Sequence, residues 1–114
     1  MKKLKACVET LNAKVLHAPS GWEEREINKV FVSDLISDIL MADGEHILLI
    51  TSLLSDQVLR TAEVIGAAAV VLVNRKHIPA ALGKAAAKQG LPLFSTPQPK
   101  FESCVRLGHL MEQK

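Results

Sequence analysis

Apolar residues along the chain switch between two rhythms. Leu4, Cys7, Val8 and Leu11 recur at helical spacing, so residues 3–12 predict a short amphipathic helix that ends near Asn12. Lys14 to His17 predicts a short strand, and Ala18-Pro19-Ser20-Gly21 carries turn chemistry. Ile27 to Val32, β-branched and aromatic, predicts a second strand. At Ser33 the helical period returns. Leu35, Ile36, Ile39 and Leu40 suit one face of a short helix, with Ser33 as its N-cap. Asp43-Gly44 turns the chain into a strand from His46 to Thr51. Ser55 then caps a helix that buries Val58, Leu59, Ala62 and Ile65, and Gly66 stops it. Val70 to Val73 has the length and composition of another strand. Pro79 fits the first turn of a helix carrying Leu82, Ala85, Ala86 and Gln89, ended by Gly90. Leu91-Pro92-Leu93-Phe94 gives a fifth strand, and Pro99 opens a last helix whose apolar positions are Phe101, Val105, Gly108 and Met111.

From residue 46 onward the order is β-α-β-α-β-α, and the strands are almost continuously apolar. Such strands are buried on both faces, which requires a parallel sheet covered by helices. Right-handed crossovers place those helices. The fold class is therefore α/β: a single compact domain over residues 1–114, with a mainly parallel sheet of about five strands. The strands at 46–51 and 69–74 belong at its centre.

The length suits one domain, and at 114 residues folding removes roughly 65% of the unfolded chain's surface, enough for a core without staples. A net charge of +2 argues against a nucleic-acid partner. Lys and Arg do not form a stripe, and none interleave Trp22, Phe31, Phe94 and Phe101. Cys7 and Cys104 make no CxxC pair and fall among apolar residues of helices, so both read as buried, reduced thiols. Met1-Lys2-Lys3 followed by Leu4-Lys5-Ala6-Cys7 has the flanks of a lipoprotein leader but no apolar stretch between them. No run reaches the length of a membrane span. The expectation is a cytoplasmic protein with no membrane partner.

Phosphate-loop, dinucleotide, nucleophile-elbow and HExxH motifs are all missing, and His17, His46, His77 and His109 are never at ligand spacing. No metal, no cofactor and no nucleophile–base pair can be named, so an enzyme is not expected. Ser33/Ser37 and Asp34/Asp38 form i,i+4 pairs on the predicted short helix; a solvated first turn facing the helix dipole accounts for them. The informative constellation is geometric. In open parallel sheets, ligands bind beyond the carboxyl ends of the strands. Those ends carry Ser33 and Asp34, then Thr51, Ser52 and Ser55, then Asn74, Arg75 and Lys76, then Ser95 and Thr96. An anionic ligand would find hydroxyl, amide and guanidinium donors there. The plain alternative is that caps and loops are rich in Ser, Thr and Asn in any protein.

The run Gly21-Trp22-Glu23-Glu24-Arg25-Glu26-Ile27, followed by Val32-Ser33-Asp34-Leu35-Ile36-Ser37-Asp38, resembles the DRTGG-domain family. So do the segment from Ala68 to Asn74, the segment from Lys88 to Thr96, and the helix of Phe101. The resemblance spans nearly the whole chain, through the order and spacing of short pieces. It implies a fold similar to the N-terminal domain of HPr kinase/phosphorylase. It also implies a regulatory or assembly role, since such modules stand alone or accompany phosphotransacetylases and CBS-domain pyrophosphatases. The name-giving stretch falls on Glu24 to Val30. Glu24 keeps the acid and Arg25 the base, but Asn28, Lys29 and Val30 replace the threonine and both glycines. Kinase activity is not implied, because the kinase relatives carry their phosphate loop in another domain.

Two functional classes follow. One is a non-catalytic regulatory or sensor module that binds a small anion or nucleotide at the strand ends. The other is a homo-oligomerising or docking module without a small ligand. Trp22 bears on the second: it is either an exposed anchor for a homodimer or a side chain folded back over the sheet edge.

Overall fold

The strands that read as apolar on both sides do form the middle of the sheet. In the computed structural model, which describes residues 1–113, the main sheet has five strands. They are β2 (Lys14–His17), β4 (Lys29–Val32), β5 (Ile47–Thr51), β6 (Ala69–Leu72) and β7 (Leu93–Ser95), in the order β2-β7-β6-β5-β4. The pairs β4/β5, β5/β6 and β6/β7 are parallel, and β2 runs antiparallel along β7. Every residue of β5, β6 and β7 is buried. The chain is one compact α/β domain.

Alternation along these strands feeds two cores. Leu48, Ile50, Val71 and Phe94 face one layer with Leu4, Cys7 and Leu11 of α1 (Leu4–Leu11) and Leu107 of α5 (Lys100–Glu112). Leu49, Val70, Leu72 and Leu93 face the other. That layer contains Ile39 of α2 (Ile36–Ile39), Val58, Leu59 and Ala62 of α3 (Asp56–Val64), and Leu82 and Ala86 of α4 (Ala80–Gln89). Asn12, Gly66 and Gly90 take positive φ just past α1, α3 and α4, as residues that end helices do.

Several local expectations are corrected. The predicted strand 27–32 is split at Asn28. Its first part, β3 (Glu26–Ile27), pairs antiparallel with β1 (Lys2–Lys3) in a separate two-stranded ribbon, while β4 joins the main sheet. Lys29 and Val30 thus lie in extended edge-strand backbone, where a glycine's freedom is not needed. The short helix begins at Ile36, with Leu35 and not Ser33 at its N-cap. The Ser33 hydroxyl instead accepts the Leu35 amide at 3.1 Å, closing a local turn, and Asp34 and Asp38 do not share a helix. Ser55 sits at the N-cap of α3, but its side chain makes no cap bond. Pro79 is the residue before α4 rather than inside its first turn. The last helix turns a different face inward: Ser103 and Leu107 are buried, whereas Phe101 is 78% exposed and Val105 is also exposed. Cys7 is buried, but Cys104 only partly so.

Trp22 settles between its two expectations. It begins a 3₁₀ turn (Trp22–Glu24), is half-buried, and packs on Phe94 with ring centroids 5.0 Å apart and planes tilted by 51°. It folds back onto the sheet and is not a free anchor.

Two measurements test this packing. Trp22→Ala should cost about 2–3 kcal/mol in urea unfolding followed by circular dichroism, near the low end for truncating a buried aromatic; a loss below about 0.5 kcal/mol would place the ring outside the core. Burial pushes the Cys7 thiol up to about 11, so a disulfide reagent should modify Cys104 first and Cys7 only on unfolding. Equal rates would show that α1 opens readily.

Candidate functional site

At the carboxyl ends of the parallel strands, one carboxylate organises its surroundings. Asp34 follows β4 and leans toward the end of β5. Its Oδ1 accepts the Ser52 amide at 2.7 Å and the Thr51 hydroxyl at 2.9 Å; its Oδ2 accepts the Ser52 hydroxyl at 2.6 Å. The ammonium of Lys100, on the first turn of α5, completes an ion pair on Oδ2. Thr51 is wholly buried, whereas the Asp34 and Lys100 side chains are about one-third exposed. Burial disfavours the charged carboxyl. The Lys100 ammonium, the Ser52 amide and the Ser52 and Thr51 hydroxyls outweigh it and hold Asp34 well below the usual carboxylate range.

Arg75 reaches the same rim. Asn74, two residues past β6, has φ of 60°, a left-handed turn that asparagine tolerates better than most residues. Its amide donates to the Gln98 carbonyl at 2.8 Å. That turn sends Arg75 back across the sheet. Its amide donates to the Thr96 carbonyl at 3.3 Å and its Nε to the Ser52 carbonyl at 3.0 Å. The guanidinium is therefore aimed by β5 while remaining exposed. Thr96 is buried: its hydroxyl donates to the Leu11 carbonyl at 3.2 Å and accepts the Gln98 amide at 3.2 Å, joining α1 to the loop before α5.

The structure thus brings together Asp34, Thr51, Ser52, Asn74 and Arg75, with Thr96 beneath them. Ser33 is spent in its local turn, Ser95 is buried in β7, and Ser55 is exposed at the start of α3. Lys100 was not anticipated. The signal for it was the position after Pro99, where a helix beginning beyond β7 must start on this rim.

Glu24 and Arg25, the retained pair of the resemblance, lie at the opposite end of the sheet. Glu24 pairs with Lys3 at 2.5 Å between exposed side chains. Arg25 Nη1 donates at 3.2 Å to the carbonyl of Ala68, the residue before β6. A depression there is lined by Arg25, His46, Gly66 and Ala68 among others. The DRTGG-like pair is therefore not part of the carboxyl-end rim. Among the described residues no helix is long and apolar enough to cross a membrane.

No protein-family model matches the sequence, and no curated protein matches it. Among solved structures the chain is similar to the CBS and DRTGG domains of the regulatory region of Clostridium perfringens pyrophosphatase, complexed with its activator diadenosine tetraphosphate. The TM-score is 0.75 at 13% identity, over 93% of this chain and 46% of that one. The chain spans less than half of that neighbour's length. At this identity the likeness is one of fold, and the fold is DRTGG-like.

The Asp34 network carries a pH signature. A carboxyl that binds its proton more weakly when folded adds stability above its unfolded value of about 4 and loses it as pH falls below that. Solvent at the half-open pair screens part of the effect. Urea unfolding from pH 7 to pH 3 should show a decline through that window that is flatter in Asp34→Asn. Parallel curves for the two proteins would show that the network contributes nothing to folding.

Proposed function

We propose that this domain is a non-catalytic regulatory module that binds a small anion or a nucleotide at the carboxyl ends of its parallel strands. The observation that carries the reading is Arg75: exposed, but aimed through its Nε by the Ser52 carbonyl and held through its own amide by the Thr96 carbonyl, on the rim where the parallel strands end. A guanidinium fixed along one edge can present its remaining N–H donors to an anion with little further loss of side-chain freedom. The DRTGG-like fold supports the class, since the neighbour is a regulatory region complexed with a nucleotide activator. Asp34 itself is no candidate general base. A carboxylate held ionised by an ammonium and three donors is a weak base, poorly matched to proton transfer near neutral pH.

A thermal-shift panel of nucleotides and phosphorylated metabolites tests the reading. A ligand at a hundredfold its dissociation constant adds about 2.7 kcal/mol of stability. Arg75→Ala should weaken that ligand by at least tenfold, as expected for a charge-assisted bond, while shifting apo stability by less than about 0.5 kcal/mol. A panel without a hit, or a ligand indifferent to Arg75, overturns it.

One observation favours a second reading, self-association. Phe101 and Val105, four residues apart on α5, are exposed beside a groove lined by Val30, Val32, Cys104, Leu107, Gly108 and Met111. The groove is largely apolar, with Asn28 and Lys29 also in its lining, and together with Phe101 and Val105 it suits a second copy of the chain. Sedimentation should then show a dimer that Phe101→Ser dissociates; a monomer at high micromolar concentration overturns this reading.

A further inference from the structure

We propose that Asp34 is an internal anion that keeps the carboxyl-end site closed, and that a phosphate or phosphoryl group binds by displacing it. The inference rests on the proposed anion-binding role of the rim and adds how access to it is controlled. Four donors from two separate parts of the chain converge on this one carboxylate: the Thr51 hydroxyl, the Ser52 amide, the Ser52 hydroxyl and the Lys100 ammonium. An amide, two hydroxyls and an ammonium gathered around two oxygens make the donor set that a phosphoryl group requires. Arg75 stands at its border, bonded to the carbonyl of the same Ser52. With Asp34 in place the donors are occupied, and its negative charge repels an incoming anion. With Asp34 withdrawn, the Lys100 ammonium and the Thr51 and Ser52 donors lose their acceptor, and Arg75 remains at the border through its bond to the Ser52 carbonyl.

The segment bearing Asp34 is held to the core chiefly through Ile39, the one buried residue of α2. It joins an edge strand to α2, a helix of only four residues, and Leu35, Leu40 and Met41 around that helix are exposed. The donors it engages are better fixed: Thr51 is fully buried in a central strand, and Lys100 rises from the first turn of the thirteen-residue α5. Local opening draws on elements with little buried apolar area, so the carboxylate leaves more readily than its donors rearrange. Acid is a poor key to this lock, because the bonds that hold Asp34 also keep it ionised. A competing anion is the effective one.

The test measures binding of inorganic phosphate, and of ATP without divalent metal, to the wild-type protein and to Asp34→Asn by calorimetry. The neutral amide removes the repulsion and the ion pair with Lys100 and leaves only a weaker acceptor in competition, so the variant should bind at least tenfold more tightly. Adding Arg75→Ala to that background should reverse most of the gain. If the wild type binds but Asp34→Asn binds no more tightly, the closing role is wrong while the rim reading stands. If neither protein binds either probe, both fail. Should Asp34→Asn not fold, the wild type answers by NMR. Titrated phosphate should move the Asp34 carboxyl carbon and the Ser52 amide together; a phosphate that shifts Arg75 but leaves the Asp34 carboxyl unmoved overturns the inference.

Discussion

Two-sided burial of β5 and β6 is the constraint from which the rest of the molecule follows. Nine consecutive-strand positions, Ile47–Thr51 and Ala69–Leu72, are withdrawn from water on both faces. Each face must therefore be roofed, and the chain does so with α1 and α5 on one side and α2, α3 and α4 on the other. Parallel pairing then leaves no choice about where polar groups gather. Every crossover returns the chain to the same end of the sheet, so the strand exits after β4, β5, β6 and β7 share one rim. Hydrophobic burial thus decides where a polar site can be assembled, though it takes no part in its chemistry.

Much of this was legible in the sequence, because the central strands and the helices between them announce themselves by period and by their stops at Gly66 and Gly90. What could not be read has identifiable causes. A two-residue ribbon such as Lys2–Lys3 with Glu26–Ile27 is too short to carry a pattern, and its pairing is long-range. On α5 the large side chains of Phe101 and Val105 suggested a buried face, yet Ser103 and Leu107 occupy it. Apolar side chains on this helix lie both in the core and at the surface, and only tertiary packing distinguishes the two.

The rim shows the same division. That Thr51, Ser52 and Arg75 would meet follows from parallel topology alone. That Asp34 would become their acceptor does not, since its ion-pair partner lies 66 residues away. Ser55 illustrates the reverse error: a residue type and position that suit capping, with a hydroxyl that does not cap. Residue identity narrows the roles a side chain can play, and the contacts made by its neighbours select among them.

The placement of Lys100 has a mechanical consequence. Its ammonium fastens the first turn of the molecule's longest helix to a carboxylate across the sheet, while the Thr96 hydroxyl ties the preceding loop to the end of α1. Phe101, the next residue along, stands exposed. Loosening the tether at Asp34 would therefore leave that end of the helix held through Thr96 and the buried Ser103, with the exposed Phe101 nearest the point released.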